Sequence, residues 1–304
     1  MSVRHQAPLV IERGDLAMLR AIRDAAESGI AVVRPAESLP GEGEPPAHEL
    51  ILNEIMGIVT AKHPAIGIDL LRDAGLAERL LPEVDALRDM TTAAARHKDV
   101  YRHTLLVVAR TPPDTTLRLA ALFHDIGKPD TKTVEDGVVH FPGHAEVGAE
   151  MTRRRLRRLG ADPALTQAVT LLVALHLRAN SYEPDWTDSA VRRLDRDAGD
   201  QIDRLLALSR ADVTSARRDA VQRALRRVDA LEARIAAVRA ADVRPISPLT
   251  GHDLMAIFDR PPGPWIGVIK SRLEALVATG DLAPGDAAAA EQIARNLMSE
   301  RDQS

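Results

Sequence analysis

The chain has 304 residues, of which 45% are hydrophobic and only 2% aromatic, so it can fill a substantial core but must build it from Leu, Ala, Val and Ile. A formal net charge of -4 argues against a whole-surface nucleic-acid binder, and the absence of cysteine excludes disulfides and thiolate ligands, leaving His, Asp and Glu to hold any metal. The first twenty residues lack a signal-type apolar core and no run of about 18 apolar residues occurs, so an all-α, cytoplasmic protein without a membrane segment is expected.

In chain order, "DLAMLRAIRDAA" (15–26) places Leu16, Leu19, Ile22 and Ala26 on one helical face and stops at Gly29. "ESLPGEGEPPA" (37–47) reads as a linker. Helices are predicted over 48–61, 65–74, 99–110, 114–126, 144–159, 163–178, 187–198 and 200–240, the last as one helix or two, with Asp114 and Asp162 as N-caps. "TKTVEDGVVHF" predicts a small hairpin turning at Asp136 and Gly137. A further helical part follows Pro245, closing with a helix over 285–298. "PPGPW" reads as a rigid turn feeding a helix, with Gly267 permitting close packing, and the arginines of "MTRRRLRRLG" read as a solvated helix face.

The histidines stand out. Six of the ten fall between 97 and 176: His97, His103, His124, His140, His144 and His176. His103 and His176 interrupt apolar helices, and His124 and Asp125 end the apolar run "LAALFHDIGKPDTK". Polar ionisable groups at the edge of a core need a partner, either a protein hydrogen bond or a cation. Taken singly, each is a satisfied core histidine; taken together, His103, His124, Asp125 and Asp212 come from three predicted helices and form a ligand set for a divalent cation. Mn, Mg, Fe, Co, Ni and Zn all accept such nitrogen and oxygen donors.

The order His, His-Asp, distant Asp, with the spelling "HDIGK", resembles the HD-type metal-dependent phosphohydrolase superfamily. Six stretches, "HKDVYRHTLLVV", "PDTTLRLAALFHDIGKPDTK", "FPGHAEVGAEM", "WTDSAVRRL", "SRADVTS" and "LTGHDLM…PPGPWIGVIK", together resemble the HD-containing body of bacterial tRNA nucleotidyltransferases, from about residue 14 onward. The resemblance implies an HD-domain helical bundle with flanking helical segments. Its expected parts are a degenerate neck-like helix and linker (1–47), a neck-like helical segment (48–92), the HD phosphohydrolase domain (93–242) and a C-terminal helical module (243–304).

The sequence also departs from that family. It contains no Gly-Gly, and its one Asp-x-Asp pair, Asp195 and Asp197, falls in a predicted helix far downstream. About a dozen residues precede the matched region, so the nucleotidyl-transferring head is expected to be absent. Arg13, Gly14 and Ala17 stand where the family's nucleotide-reading Glu, Asp and Arg are found; Arg20 and Arg23 persist, while Asp24 replaces an aromatic.

Function is therefore expected at the HD site. Metal-dependent hydrolysis of a nucleotide phosphate ester is the first reading, with Asp125, Lys128 and His144 as catalytic residues and a small nucleotide as substrate, an RNA 3' end being the other substrate considered. His144 and His176 would contact phosphate or complete a second metal site. Arg96, His97, Lys98 and Lys128 would bind substrate, although a solvated turn and a surface lysine account for them equally well. The alternative is a non-catalytic module that binds tRNA or a protein partner. Oligomeric state is open.

Overall fold

The computed structural model describes residues 9, 11–31, 46–90, 99–215, 217–242 and 246–302. The chain divides into two compact units, Met1–Ile235 and Ala236–Ser304. Among the described residues the fold is all-α apart from one two-stranded antiparallel sheet. No helix among them is long and apolar enough to cross a membrane.

The first unit begins with α1 (Arg13–Ser28), α2 (His48–Thr60), α3 (Pro64–Asp73), α4 (Leu76–Leu80) and α5 (Pro82–Asp85). Helix α1 ends on Gly29, whose φ of 77° is left-handed, and packs on α2 and α3 through Leu19, Ile22 and Ala26, all fully buried. Arg20 and Arg23 of α1 both reach Glu54 of α2, at 3.2 and 2.7 Å.

Then come α6 (Val100–Arg110), α7 (Thr115–Phe123), α8 (Lys128–Thr131), β1 (Thr133–Glu135), β2 (Val138–His140), α9 (His144–Arg158), α10 (Pro163–Asn180), α11 (Asp188–Ala198), α12 (Ile202–Asp212) and α13 (Arg218–Asp242). Asp99, Asp114 and Asp162 cap α6, α7 and α10 by accepting backbone N–H groups. The hairpin pairs Glu135 with Val138 across Asp136 and Gly137, both at positive φ, which suits a two-residue turn. Helix α10 packs along α9 and also on α7 and α12, while α6 packs on α7; their apolar faces enclose Leu119, Leu122, Phe123, Val169, Leu172 and Leu205.

The second unit contains α14 (Gly251–Phe258), α15 (Pro264–Thr279) and α16 (Ala287–Asp302) around Leu254, Trp265, Ile269, Leu273, Ala290 and Ala294. Trp265 donates its indole N–H to the Pro261 carbonyl at 3.0 Å, which fixes the "PPGPW" turn.

Three expectations change. Helix α7 stops at Phe123 rather than 126, because residues 124–127 tighten into a turn in which Ile126 N–H bonds to Phe123 O. The segment 200–240, expected as one helix or two, is two, broken after Asp212 where Val213 turns to ψ 91°. Arg155 is not on a solvated face: it is 2% exposed and grips Glu83 with bonds of 2.9 to 3.1 Å. Gly267 has open space where a Cβ would stand, so close packing is not its role.

Candidate metal centre

Four elements deliver the site. His103 comes from the middle of α6, His124 and Asp125 from the tight turn after α7, His144 from the first position of α9, and Asp212 from the last position of α12. The His124 turn is held close to α9: a Cβ on Gly127 would lie 2.1 Å from His144 O and 2.8 Å from Gly148 N, so only glycine lets the two backbones meet there.

The donor atoms converge. His103 Nε2 lies 2.9 Å from Asp212 Oδ1, 3.3 Å from His124 Nε2 and 3.7 Å from Asp125 Oδ2. His124 Nε2 is 3.3 Å from Asp125 Oδ2 and 3.7 Å from Asp212 Oδ1. His144 Nε2 stands 3.5 Å from the other oxygen of Asp125. Ligand atoms of Asp125, His144 and His176 lie within 4.8 Å of one another, forming a second group beside that of His103, His124 and Asp125.

The tautomers follow from the opposite edges of the rings. Nδ1 of His124, His144 and His176 meets the backbone carbonyls of Ala121, Phe141 and Val173 at 2.8, 2.9 and 2.7 Å. A carbonyl only accepts, so Nδ1 carries the proton and Nε2 of each neutral ring presents a lone pair. His103 Nδ1 is tied to Thr214 Oγ1 at 2.8 Å. The lone pair on His124 Nε2 thus faces carboxylate oxygens, and His144 Nε2 is buried without a hydrogen-bond partner. Only a cation, proton or metal, relieves such an arrangement, and the nitrogen and oxygen donor set fits a divalent ion.

Charge coupling says the same. Burial opposes charge on His124, but Asp125 and Asp212 outweigh it and hold its pKa up at about 9. Burial also opposes ionisation of Asp125, yet His124, His144 and Lys128 keep it well below the usual carboxylate range. Asp212 is likewise held down, against burial, by His103 and His124. Burial together with the neighbouring His124 pushes His176 down to about 4, so that ring is neutral.

Lys128 donates to Asp125 Oδ2 at 2.6 Å, and its ammonium sits 5.5 Å from the Phe141 ring centroid. It is a partner of the carboxylate rather than a loose surface lysine. Asn180 and Thr214 escaped the sequence reading. Asn180 donates to Asp212 Oδ2 at 2.6 Å, and Thr214 holds His103. The spacing of Asn180, four residues after His176 on one helix face, was the available signal. Arg96, His97 and Lys98 lie outside the described residues.

Comparison with known families agrees with this geometry. The HD domain profile matches residues 100–217. Residues 100–217 form an HD domain. Ahead of the HD domain, residues 51–88 match the "Probable RNA and SrmB- binding site of polymerase A". Relatives include the A-adding tRNA nucleotidyltransferase of Deinococcus radiodurans, 30% identical over 78% of this chain and 56% of that protein. The CC-adding tRNA nucleotidyltransferase of Thermus thermophilus is 32% identical over 86% of this chain and 62% of that protein. A Multifunctional CCA protein of Halorhodospira halophila is 34% identical over 46% of this chain and 34% of its own length. The chain thus resembles the HD-containing part of tRNA nucleotidyltransferases, and it spans at most about three-fifths of these relatives.

Proposed function

We propose that this protein is a metal-dependent phosphohydrolase that cleaves a nucleotide phosphate ester, either a phosphomonoester or a 2',3'-cyclic phosphate. The observation that carries the reading is the gathering of the His103, His124 and His144 Nε2 atoms around the Asp125 and Asp212 carboxylates, with His124, Asp125 and His144 buried. His103, His124, Asp125 and Asp212 would hold a divalent cation, of Mn, Mg, Fe, Co, Ni or Zn. When bound, such a cation neutralises phosphate charge and lowers the pKa of a nearby water.

The remaining roles belong to the chain's own side chains. Asp125 orients the attacking water, and His144, with a free Nε2 acceptor, takes up its proton or contributes with His176 to a second cation site. Lys128 offers positive charge to the phosphate beside Asp125. Arg96, His97 and Lys98 are proposed to guide substrate at the entrance, residues 48–92 to act as a neck-like support, and 243–304 as a separate helical module. A small nucleotide is the proposed substrate and an RNA 3' end the second choice, in the cytoplasm.

The test is a panel of 2'-, 3'- and 5'-nucleotides and 2',3'-cyclic nucleotides given to metal-stripped protein with several divalent ions. Hydrolysis of a subset, restored by metal and abolished in His124→Ala and Asp125→Ala, is expected. No hydrolysis of any member with any ion would contradict the reading.

The match of residues 51–88 to an RNA-binding segment favours one alternative, a non-catalytic module that binds tRNA or a protein partner. That reading expects salt-sensitive tRNA binding that survives His124→Ala and Asp125→Ala.

A further inference from the structure

The pairing of α9 with α10 leaves a cavity beside the C-terminal half of α9, away from His144. Its volume is about 530 Å³, and its walls include Arg153, Arg157, Pro163, Gln167, Thr170 and Leu171. Thirteen residues of α9 separate His144 from Arg157, roughly 20 Å at the helical rise, and six residues of α10 separate Thr170 from His176, roughly 9 Å. No residue of the metal centre is in its lining, and Ala174, the lining residue nearest His176 in sequence, points about 200° away from it around α10.

Some of its polar groups are unspent. Arg153 already pairs with Glu150, but among the described residues the exposed Arg157 guanidinium and the exposed Gln167 amide have no side-chain partner. The Thr170 hydroxyl is sealed from solvent and also lacks a hydrogen bond among the described residues, a costly state. Among the described residues no carboxylate lines the walls, so none there is a counter-ion for Arg157. Pro163, Leu171 and Ala174 supply an apolar surface beside these groups.

We propose that this cavity is a nucleotide-binding site, with a phosphate on Arg157, a base edge on Gln167 and the base face against Pro163 and Leu171. A guanidinium matches phosphate, a primary amide offers the donor and acceptor pair that a base edge requires, and the volume suits a ligand of that size. A simple amphiphilic anion would leave Gln167 unused. The nucleotide is either free or one unit of an RNA strand, and the site does not depend on the hydrolase reading.

The test titrates metal-stripped protein with adenosine 5'-monophosphate, with single-stranded oligoadenylate and with inorganic phosphate. Saturable binding weakened at least about tenfold by Arg157→Ala and several-fold by Gln167→Ala is expected, with no change in Arg223→Ala, which removes an equal charge from α13. Because Arg157 and Gln167 are exposed, both variants should fold. An Arg157-dependent response to the mononucleotide supports a free nucleotide, and one confined to oligoadenylate supports a strand unit. Absence of saturable binding, indifference to both substitutions, equal loss in Arg223→Ala, or phosphate binding as tightly as the nucleotides would overturn the proposal.

Discussion

The Nε2 atoms of His103 and His124 face each other across 3.3 Å, inside a cluster that also contains two carboxylates. Without metal, burial opposes charge on His124, but Asp125 and Asp212 hold its proton up to about pH 9. A divalent ion must displace it, so metal affinity should rise with pH up to about 9, with proton release on binding. Calorimetric titration in buffers of different ionisation enthalpy measures that release; a pH-independent affinity with no proton released would contradict it.

The same proton predicts a stability profile. The His124 pKa is raised above its ordinary 6.5, so its contribution to the metal-free protein is complete below 6.5 and is lost as pH climbs through about 9. Melting temperature of metal-free protein should therefore fall over that window more steeply than in His124→Gln. Equal slopes would show that His124 is not the group involved.

His176 works in the opposite sense. Its pKa is depressed from 6.5 to about 4, so its contribution is present above 6.5 and is lost as pH falls through about 4. Urea midpoints of metal-free protein should drop between pH 6.5 and 4, and His176→Gln should flatten that drop.

Glu83 and Arg155, 3% and 2% exposed, form a buried ion pair between α5 and α9. Removing one partner, as in Glu83→Gln or Arg155→Met, should cost about 3–5 kcal/mol, whereas replacing both with apolar residues should cost much less. Denaturant unfolding of the single and double variants separates the two cases. Additive losses would mean the pair is not coupled.

At Gly127, a methyl group would meet His144 O at 2.1 Å. Gly127→Ala should force the turn and the start of α9 apart, destabilise the protein by about 1–3 kcal/mol and lower kcat/KM through displacement of His144. Unchanged melting temperature and kinetics would show that the contact relaxes freely.

The sequence carried much of this centre because polar residues in apolar helices are rare enough to notice. His103, His124 and Asp212 each broke such a pattern, and Asp125 followed directly on His124. Thr214 follows a helix end, where polar residues are ordinary, so nothing local marked it, and Asn180 at the end of α10 was marked only by its four-residue spacing from His176. Arg155 was hidden among the arginines of α9, since burial depends on Glu83, 72 residues away. The early end of α7 was hidden as well, because residues 124–126 continue a helical pattern and only the approach of Gly127 to α9 tightens the turn.

Equilibrium dialysis of metal-stripped protein against Mn²⁺ tests the central claim most directly, comparing wild type with a His103→Ala, Asp212→Ala variant whose helicity is checked by circular dichroism. Stoichiometric, saturable binding by wild type and background binding by the folded variant is the predicted result. Equal Mn²⁺ binding by both, or none by either, would contradict the assignment of His103, His124, Asp125 and Asp212 as a metal site.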